Sequence, residues 1–147
     1  MPVFLETFMK VFIVSIGIIL MQLTALVFHS DLTAYNNSRF MLKMLAEECA
    51  AGSAINADED ALEFGSIVFN AASRAYTDEL VAYANAYYPV FRDGTVSVES
   101  FEANDSAANP YVAVELSYTR ETDYFRLPLI NVTQITHESK YEYIETE

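Results

Sequence analysis

The N-terminal part of the chain contains a long apolar stretch that carries no charge. Residues 11–28 read VFIVSIGIILMQLTALVF, eighteen residues in which the clearly polar members are Ser15, Gln22 and Thr24. Extended back to Phe8, the stretch has about twenty-one residues, and roughly twenty are needed to cross ~30 Å of hydrocarbon. The pattern therefore predicts one membrane-spanning helix.

Two other interpretations of this stretch are a cleaved signal peptide and a buried core helix. A signal peptide has an apolar core of only ~7–15 residues, so the length favours a membrane helix. Lys10 lies on one side of the stretch and Arg39 and Lys43 on the other, so the positive-inside rule gives little indication of orientation. We expect residues 1–30 to be a short cytoplasmic N-terminus with its membrane helix, and residues 31–147 to be an extracytoplasmic domain.

A second, narrower apolar pattern follows the membrane segment. Leu42, Leu45 and Cys49 recur at three- and four-residue spacing among good helix formers. The membrane helix is therefore predicted to continue outward as an amphipathic helix. It either breaks near residues 29–37 or runs unbroken over residues 5–51, which would make it about 70 Å long at 1.5 Å per residue.

Gly52 is expected to end this helix as a C-cap. A second helical segment is predicted over residues 57–88, with Asn56 and Glu59 as a variant capping box and Pro89 as its stop. Its predicted apolar face consists of Phe64, Ile67, Val68, Ala71, Ala72, Ala75 and Tyr76. The alternative is a split near Thr77 and Asp78, where a new helix would begin with Leu80, Val81, Ala84 and Tyr87 on its apolar face.

From Gly94 onward the apolar period changes from helical to alternating. Val96, Val98 and Phe101 indicate one strand. Residues 111–120 alternate apolar and polar side chains throughout, which is typical of a half-buried antiparallel strand.

The last thirty or so residues predict further strands less regularly. A turn at residues 121–123 leads into a predicted strand over residues 124–130, which Pro128 interrupts. Residues 132–144 indicate a final, polar edge strand. The expected fold class is therefore α+β: a long N-terminal transmembrane and amphipathic helix, a second helical segment, then a small antiparallel sheet of three to four strands.

Charge is distributed unevenly along the chain, whose net charge is −13. Residues 1–50 hold three Lys or Arg and four acids, whereas residues 51–147 hold five Lys or Arg and seventeen acids. An acidic surface repels phosphate backbones, so nucleic acid is not an expected partner. Solubility is the favoured explanation of the acidic charge.

Residues able to carry chemistry are few. His29 is expected at the membrane boundary. His137 is flanked by strand neighbours that point to the opposite face, so Thr136, His137 and Glu138 cannot assemble a catalytic triad. Cys49, the single cysteine, lies on the apolar stripe and is interpreted as a buried, inert thiol.

No other motif indicates catalysis or a bound cofactor. The acidic run of residues 58–60 lacks the ligand spacing of an EF-hand and is explained by a helix start. The tyrosines at 76, 83, 87 and 88 are interpreted as a helix-packing face in preference to a stacking surface. We therefore predict a protein that is not an enzyme, with no catalytic residues, no cofactor and no metal.

Residues 2–20, PVFLETFMKVFIVSIGIIL, place Glu6 just ahead of the apolar helix. In this arrangement the chain resembles type IV pilin-type subunits and, more narrowly, TadE-like pilus-assembly pseudopilins. The resemblance implies an amphipathic spine, here residues 35–51, and a small β-rich head, here residues 96–144. No basic leader with a glycine cleavage site precedes the helix in the printed sequence, so processing by a prepilin peptidase is left open.

Glu6 is the residue on which assembly is predicted to depend. Ionisation of a carboxylate among Phe4, Leu5 and Phe8 is costly unless the carboxylate is paired. The resemblance implies that its partner is the N-terminus of the adjacent subunit, and removal of Met1 would make Glu6 the fifth residue, as in mature pilins. The alternative places Glu6 in the lipid headgroup region.

The first functional hypothesis is a structural subunit of a pilus or secretion apparatus that assembles through its N-terminal helix. Small and polar residues support helix contacts in lipid, so the candidate assembly residues are Glu6, Ser15, Gly17 and Gln22. The expected partners are membrane lipid and other pilin-like or secretion-system subunits, in a homo- or hetero-oligomer in the cell membrane or an extracellular filament. The alternative is a membrane-anchored binding module with an acidic, tyrosine-rich head, and a small membrane enzyme ranks last.

Overall fold

The computed structural model describes residues 1–56, 59–63, 65–106, 108–128 and 130–143. Its elements in chain order are helix α1 (Pro2–Ile55), the short helix α2 (Glu59–Glu63), helix α3 (Ala71–Tyr87), a 3₁₀ turn (Pro89–Phe91), and strands β1 (Gly94–Asn104), β2 (Tyr111–Arg120) and β3 (Gln134–Glu142). The strands form one antiparallel sheet in the order β1-β2-β3. The predicted α+β layout is confirmed, with three strands.

Helix α1 is unbroken over its 54 residues, which corresponds to a length of about 81 Å at 1.5 Å per residue. The alternative with a break near residues 29–37 is therefore wrong. Gly52 does not end the helix, which continues to Ile55 and is followed by Asn56 as its C-cap. A Cβ atom at Gly52 would lie 2.1 Å from the ring of Tyr76, so glycine is required here for the close approach of α3.

The predicted second helical segment is two helices, and the sequence-based bounds are wrong. Described residues 65–70 between α2 and α3 are not helical, so Ile67 and Val68 do not lie on a helix face. Asn70 caps α3 by accepting a 2.8 Å hydrogen bond from the backbone N–H of Ala72. Thr77 and Asp78 lie inside α3, so no helix restarts there. Residues 57, 58 and Phe64 lie outside the described part of the chain.

The buried face of α3 matches the predicted one at Val81 and Ala84 and differs from it earlier in the helix. Ser73, Thr77, Val81 and Ala84 are buried, whereas Ala71, Ala72 and Ala75 are exposed. The hydroxyls of Ser53 and Thr77 share a 2.7 Å hydrogen bond, and Ser73 Oγ donates to the carbonyl of Asn56 at 2.6 Å. Because these small polar groups have hydrogen-bonding partners, they can be buried where α3 packs on α1.

The sheet places its apolar side chains towards α1. In β1 the apolar positions shift from Val98 to Phe101, and a β-bulge between Val98 and Ser100 explains this break in alternation. The central strand β2 is largely buried, with Val112, Val114, Leu116 and Tyr118 in the core. The predicted final strand is confirmed as edge strand β3, within narrower bounds, and Ile144 lies outside the described residues.

Described residues 121–133 form an irregular loop, so the strand predicted over residues 124–130 is wrong. The backbone N–H groups of Arg120 and Tyr124 donate to the carbonyls of Thr133 and Val132, which closes the loop on itself. Tyr124 and Phe125 are buried beside α1. Their apolar side chains therefore serve the core from a loop and not from a strand.

The contact between Gly52 and Tyr76 generates a stability prediction. Gly52→Ala adds helix propensity worth about 1 kcal/mol, but its Cβ displaces the Tyr76 ring at a cost of roughly 1–3 kcal/mol. We expect a coupling energy of about 1–3 kcal/mol between Gly52→Ala and Tyr76→Ala, with Gly52→Ala stabilising once the ring is absent. Thermal and denaturant unfolding of the detergent-solubilised chain, followed by circular dichroism, measures it.

Gly17→Ala is the matched control, because a Cβ atom at Gly17 meets nothing within 4 Å. Its effect on stability should be the same with and without Tyr76. Equal effects of Gly52→Ala in the two backgrounds would show that the Tyr76 ring does not restrict this position.

Candidate functional site on the N-terminal helix

The first half of α1 projects from the folded domain as an N-terminal arm, residues 3–26. Every side chain of this arm is exposed, including all of its large apolar residues. Within the described residues, α1 is the one helix long and apolar enough to cross a membrane, and none of its most apolar window is buried. Burial against the domain begins at Phe28 and Asp31. The domain from Phe28 onward is called the head below.

Glu6 has a partner on its own helix. Lys10 Nζ donates to Glu6 Oε1 at 2.6 Å, an ion pair between side chains that are both well exposed. The pair is four residues apart, with the acid ahead of the base, which is the favourable order on a helix. Glu6 is therefore paired within its own helix.

The four candidate assembly residues lie on two opposite sides of the arm. Glu6 and Gly17 are eleven residues apart and hence within about 20° of each other around the helix, as are Ser15 and Gln22, seven residues apart. The two pairs are separated by about 180°. The Glu6–Gly17 side continues into the side that packs on the head at Asp31, so the Ser15–Gln22 side faces outward.

Hydroxyl groups in the arm are satisfied within the helix. Ser15 Oγ donates to the Val11 carbonyl at 2.8 Å, and Thr24 Oγ1 donates to the Leu20 carbonyl at 2.8 Å. Bonds of this kind let a helix carry hydroxyls in an apolar surrounding at little cost. Gly17 leaves open space where a side chain would stand.

Asp31 joins α1 to the loop of residues 121–133 at the point where the arm ends. Its buried carboxylate accepts three hydrogen bonds from Arg126: from the backbone N–H at 3.0 Å, from Nε at 2.9 Å and from a terminal nitrogen at 2.7 Å. Hydrogen bonding to the Arg126 side chain and backbone lowers the pKa of Asp31. One residue away, the ring of Phe125 stacks on Phe28 at 5.7 Å. Together these contacts position the loop of residues 121–133 against α1.

The residues considered for catalysis do not come together. His29 is exposed on α1, and His137 is half-buried on β3, with Thr136 and Glu138 exposed. Cys49 is fully buried in the core, where desolvation raises the pKa of its thiol to about 12. Among the described residues, no group of three His, Cys, Asp or Glu side chains is placed to hold a metal.

Two surfaces of the head were not predicted. The first is a groove of about 380 Å³, called the outward groove below. It is lined by Asn36, Arg39, Phe40, Lys43 and His137. Tyr83 and Tyr87 are exposed on α3 with ring centroids 4.7 Å apart, so the helix-packing interpretation is wrong for these two. In the sequence, the signal for the groove is Phe40, an apolar residue off the buried stripe and one residue after Arg39.

The Asp31–Arg126 contact generates a pH prediction. Because the pKa of Asp31 is lowered from 3.8, the contact stabilises the head above that pH and loses its effect as the pH falls below it. We expect the unfolding temperature of Asp31→Asn to lie below that of the wild type at pH 7, and the difference to shrink below about pH 3.8. Circular dichroism at a series of pH values measures this difference.

Asp123→Asn is the control, since Asp123 is exposed in the same loop and has no ion pair within the described part of the chain. A wild-type advantage over Asp31→Asn that stays constant down to pH 2 would show that the charge of Asp31 is not what stabilises the loop.

The burial of Cys49 generates a reactivity prediction. With a pKa of about 12, its thiolate fraction at pH 8 is about a thousandfold below that of an ordinary thiol. Iodoacetamide is therefore expected to leave Cys49 unmodified in the folded chain and to modify it after denaturation, as read by mass spectrometry. Asn36→Cys, exposed on the same helix, should react at once and serves as the control; rapid labelling of folded Cys49 would contradict its burial.

Comparisons of the chain with protein-family models, with curated proteins and with solved structures give no match. The function is therefore inferred from the arm, the head and the contacts between them.

Proposed function

We propose that the protein is a non-enzymatic structural subunit of a pilus or secretion apparatus, which assembles in the membrane through the arm of α1. The observation that carries the proposal is the division of one unbroken helix into an arm with no buried side chain and a half that forms the centre of the head. An exposed apolar surface of this size is typical of contact with lipid or with other helices. In this proposal the bilayer supplies the lipid contacts, and the arms of neighbouring subunits supply the helix contacts.

Residues 11–28 form the membrane-spanning part in this proposal. Their eighteen residues extend over about 27 Å, close to the ~30 Å hydrocarbon thickness. The Glu6–Lys10 pair then lies at one membrane face, with the short N-terminus inside the cell and the acidic head outside. Asp31 and Arg126 lie at the other face, where the loop of residues 121–133 meets α1.

Assembly is the second part of the proposal, and the two sides of the arm support it. Apolar side chains gain nothing by leaving lipid for another helix, so association depends on close backbone approach and on polar contacts. Gly17 permits close approach on one side, while Gln22 offers an amide on the other. A helix with a different feature on each side favours contacts to two neighbours at once.

The Glu6–Lys10 ion pair refines the role of Glu6. In the isolated chain Lys10 pairs with the carboxylate, so an amine on the same helix accompanies Glu6 at the membrane face. In the assembly proposed here, the pair is a dipolar unit that a second arm contacts. The pilin-like arrangement suggested by residues 2–20 is retained, with Lys10 of the same helix as the first partner of Glu6.

A membrane-anchored binding module is the second candidate function, and the exposed Tyr83–Tyr87 pair favours it. Exposed tyrosines with restricted side chains are common at recognition surfaces. In that case the arm is only an anchor, and Tyr83→Ser together with Tyr87→Ser removes partner binding while every arm variant is silent.

Disulfide crosslinking of arms in native membranes tests the proposal. Cys49 does not interfere because it is buried, so cysteines are introduced at Val11 and Ile13, exposed residues on opposite sides of the arm that are not candidate assembly residues. If unlike sides of neighbouring arms meet, each single variant is expected to stay monomeric, whereas the double variant gives a ladder of crosslinked species. Because interhelical polar contacts in lipid are worth about 1–2 kcal/mol, Glu6→Ala should reduce the ladder roughly tenfold.

Thr7→Ala is the control, a neighbouring exposed residue whose hydroxyl bonds within its own helix. Glu6→Gln separates charge from shape. Monomer alone in the wild-type background, or a ladder that Glu6→Ala leaves unchanged, would reduce the arm to a plain anchor and favour the binding module.

A further inference from the structure

The outward groove lies between α1 and edge strand β3. Phe40 is 61% exposed in it, although the residues that follow on the same helix, Met41 and Leu42, pack into or against the core. Phe40 stands eighteen residues, or five full turns, after Gln22, and therefore on the same side of α1. The outward side of the arm thus continues directly into the groove.

The groove is positively charged on a strongly acidic protein. Arg39 and Lys43 line it, in a chain whose net charge is −13. Arg39 has no ion pair within the described ranges, and Lys43 has only an exposed contact of 3.7 Å to Glu47, of a kind that contributes little. Arginine is one of the residue types enriched among those that dominate the energy of protein interfaces, and the exposed Phe40 ring beside Arg39 adds apolar area to cover.

The acidic sheet face, formed by Glu102, Glu115, Glu138 and Glu142, is the complementary surface. Lys140 lies on the same face, paired with Glu142, and leaves the face with a net negative charge. Glu115 on β2 lies directly opposite Glu138 on β3 in the register. Neighbouring residues Val114 and Leu116 point into the core towards α1, so the glutamates point to the other side of the sheet. Like charges directly opposite each other destabilise a sheet. Lys140 on this face is paired with Glu142 and lies over the Tyr111 ring, so a basic partner would relieve the repulsion between Glu115 and Glu138.

We infer that the acidic sheet face of one copy docks into the outward groove of the next copy. Arg39 and Lys43 then contact Glu115 and Glu138 of the neighbour, with Phe40 covered by the sheet. The two surfaces lie on different sides of the head, so every copy presents both of them at once. Such a head-to-tail contact is heterologous and extends into a chain or closes into a ring.

The height of the groove above the membrane favours a protein partner over lipid headgroups. Arg39 follows Phe28, the end of the proposed span, by eleven residues, which places its Cα about 16 Å beyond the hydrocarbon. The headgroup region of one leaflet is only about 5–8 Å thick. A second copy supplies the required negative charge at the right height, because its own head is anchored in the same way.

This inference rests on the proposed assembly through the arm, and charge reversal in the full-length chain tests it. The readout is the ladder formed by the Val11→Cys, Ile13→Cys chain reconstituted in phosphatidylcholine vesicles. Arg39→Glu and Glu138→Lys are each expected to reduce species above the dimer about tenfold at low salt, since close charge pairs across interfaces are that strong. The chain carrying both reversals should recover the ladder, because the opposite charges again face each other.

Arg92→Glu and Glu79→Lys are the matched controls, since both residues are exposed and lie outside the two surfaces. They introduce the same changes in net charge and should leave the ladder intact. Unfolding temperatures equal to that of the wild type confirm that the reversed heads are folded.

The outcomes separate the two levels of the proposal. Absence of any arm crosslink in the wild-type head rejects assembly itself, and the docking inference with it. A Glu6-dependent ladder that neither reversal changes, or that the double reversal fails to restore, rejects the docking contact alone. Dependence on Arg39 that appears only when anionic lipid is added would assign the groove to headgroups and overturn the inference.

Discussion

The whole structure depends on one helix having two different surroundings along its length. The second half of α1 contributes Leu42, Leu45, Cys49 and Ala54 to the core, and each buried large side chain contributes about 1.5–3 kcal/mol. A sheet of three strands is not stable with its apolar face in water, and α1 covers that face. The first half of the same helix has no such contacts. Because α1 is unbroken, folding of the head places the arm in a fixed direction.

The contacts that hold the other elements of the head on the second half of α1 therefore also orient the arm. On one side, Gly52 receives the ring of Tyr76, and the Ser53–Thr77 hydrogen bond joins α1 to α3. On the other, Asp31 binds Arg126, and Phe28 meets Phe125 at the base of the arm. The free edge of β1 is closed by Asn85 of α3, whose side chain bonds both the N–H and the carbonyl of Val96. The loop of residues 121–133 and helix α3 are thus fixed directly to α1, and strand β1 is fixed through α3.

The sequence predicts the elements with strong periodicity and fails where a signal has two physical meanings. The arm, the stripe of Leu42, Leu45 and Cys49, and strand β2 follow from apolar spacing alone. Gly52 shows the limit, because glycine marks either a helix end or a close approach of another helix, and only the position of Tyr76 distinguishes them. The earlier part of the buried face of α3 was missed for a related reason. Ser73 and Thr77 are polar by type, and their hydrogen-bonding partners lie in a different helix.

The sequence indicates the four candidate residues of the arm but not how they are arranged around the helix. Glu6, Ser15, Gly17 and Gln22 are readable as polar or small positions in an apolar run, but their separation into two opposite sides requires an unbroken helix. The surfaces of the head were not readable at all. Arg39 and His137 are distant in sequence and meet across α1 and β3. Glu115 and Glu138 are brought opposite each other by strand register.

The acidic composition takes on a different meaning once the charges are located. As a number, a net charge of −13 is explained by solubility. Solubility alone gives no reason for two glutamates to face each other across neighbouring strands, nor for Arg39 and Lys43 to flank an exposed phenylalanine on the opposite surface. A separation of positive and negative charge onto different sides of one small head gives it polarity. Polarity of that kind favours contact between unlike surfaces of identical chains, which is the head-to-tail geometry proposed above for the heads.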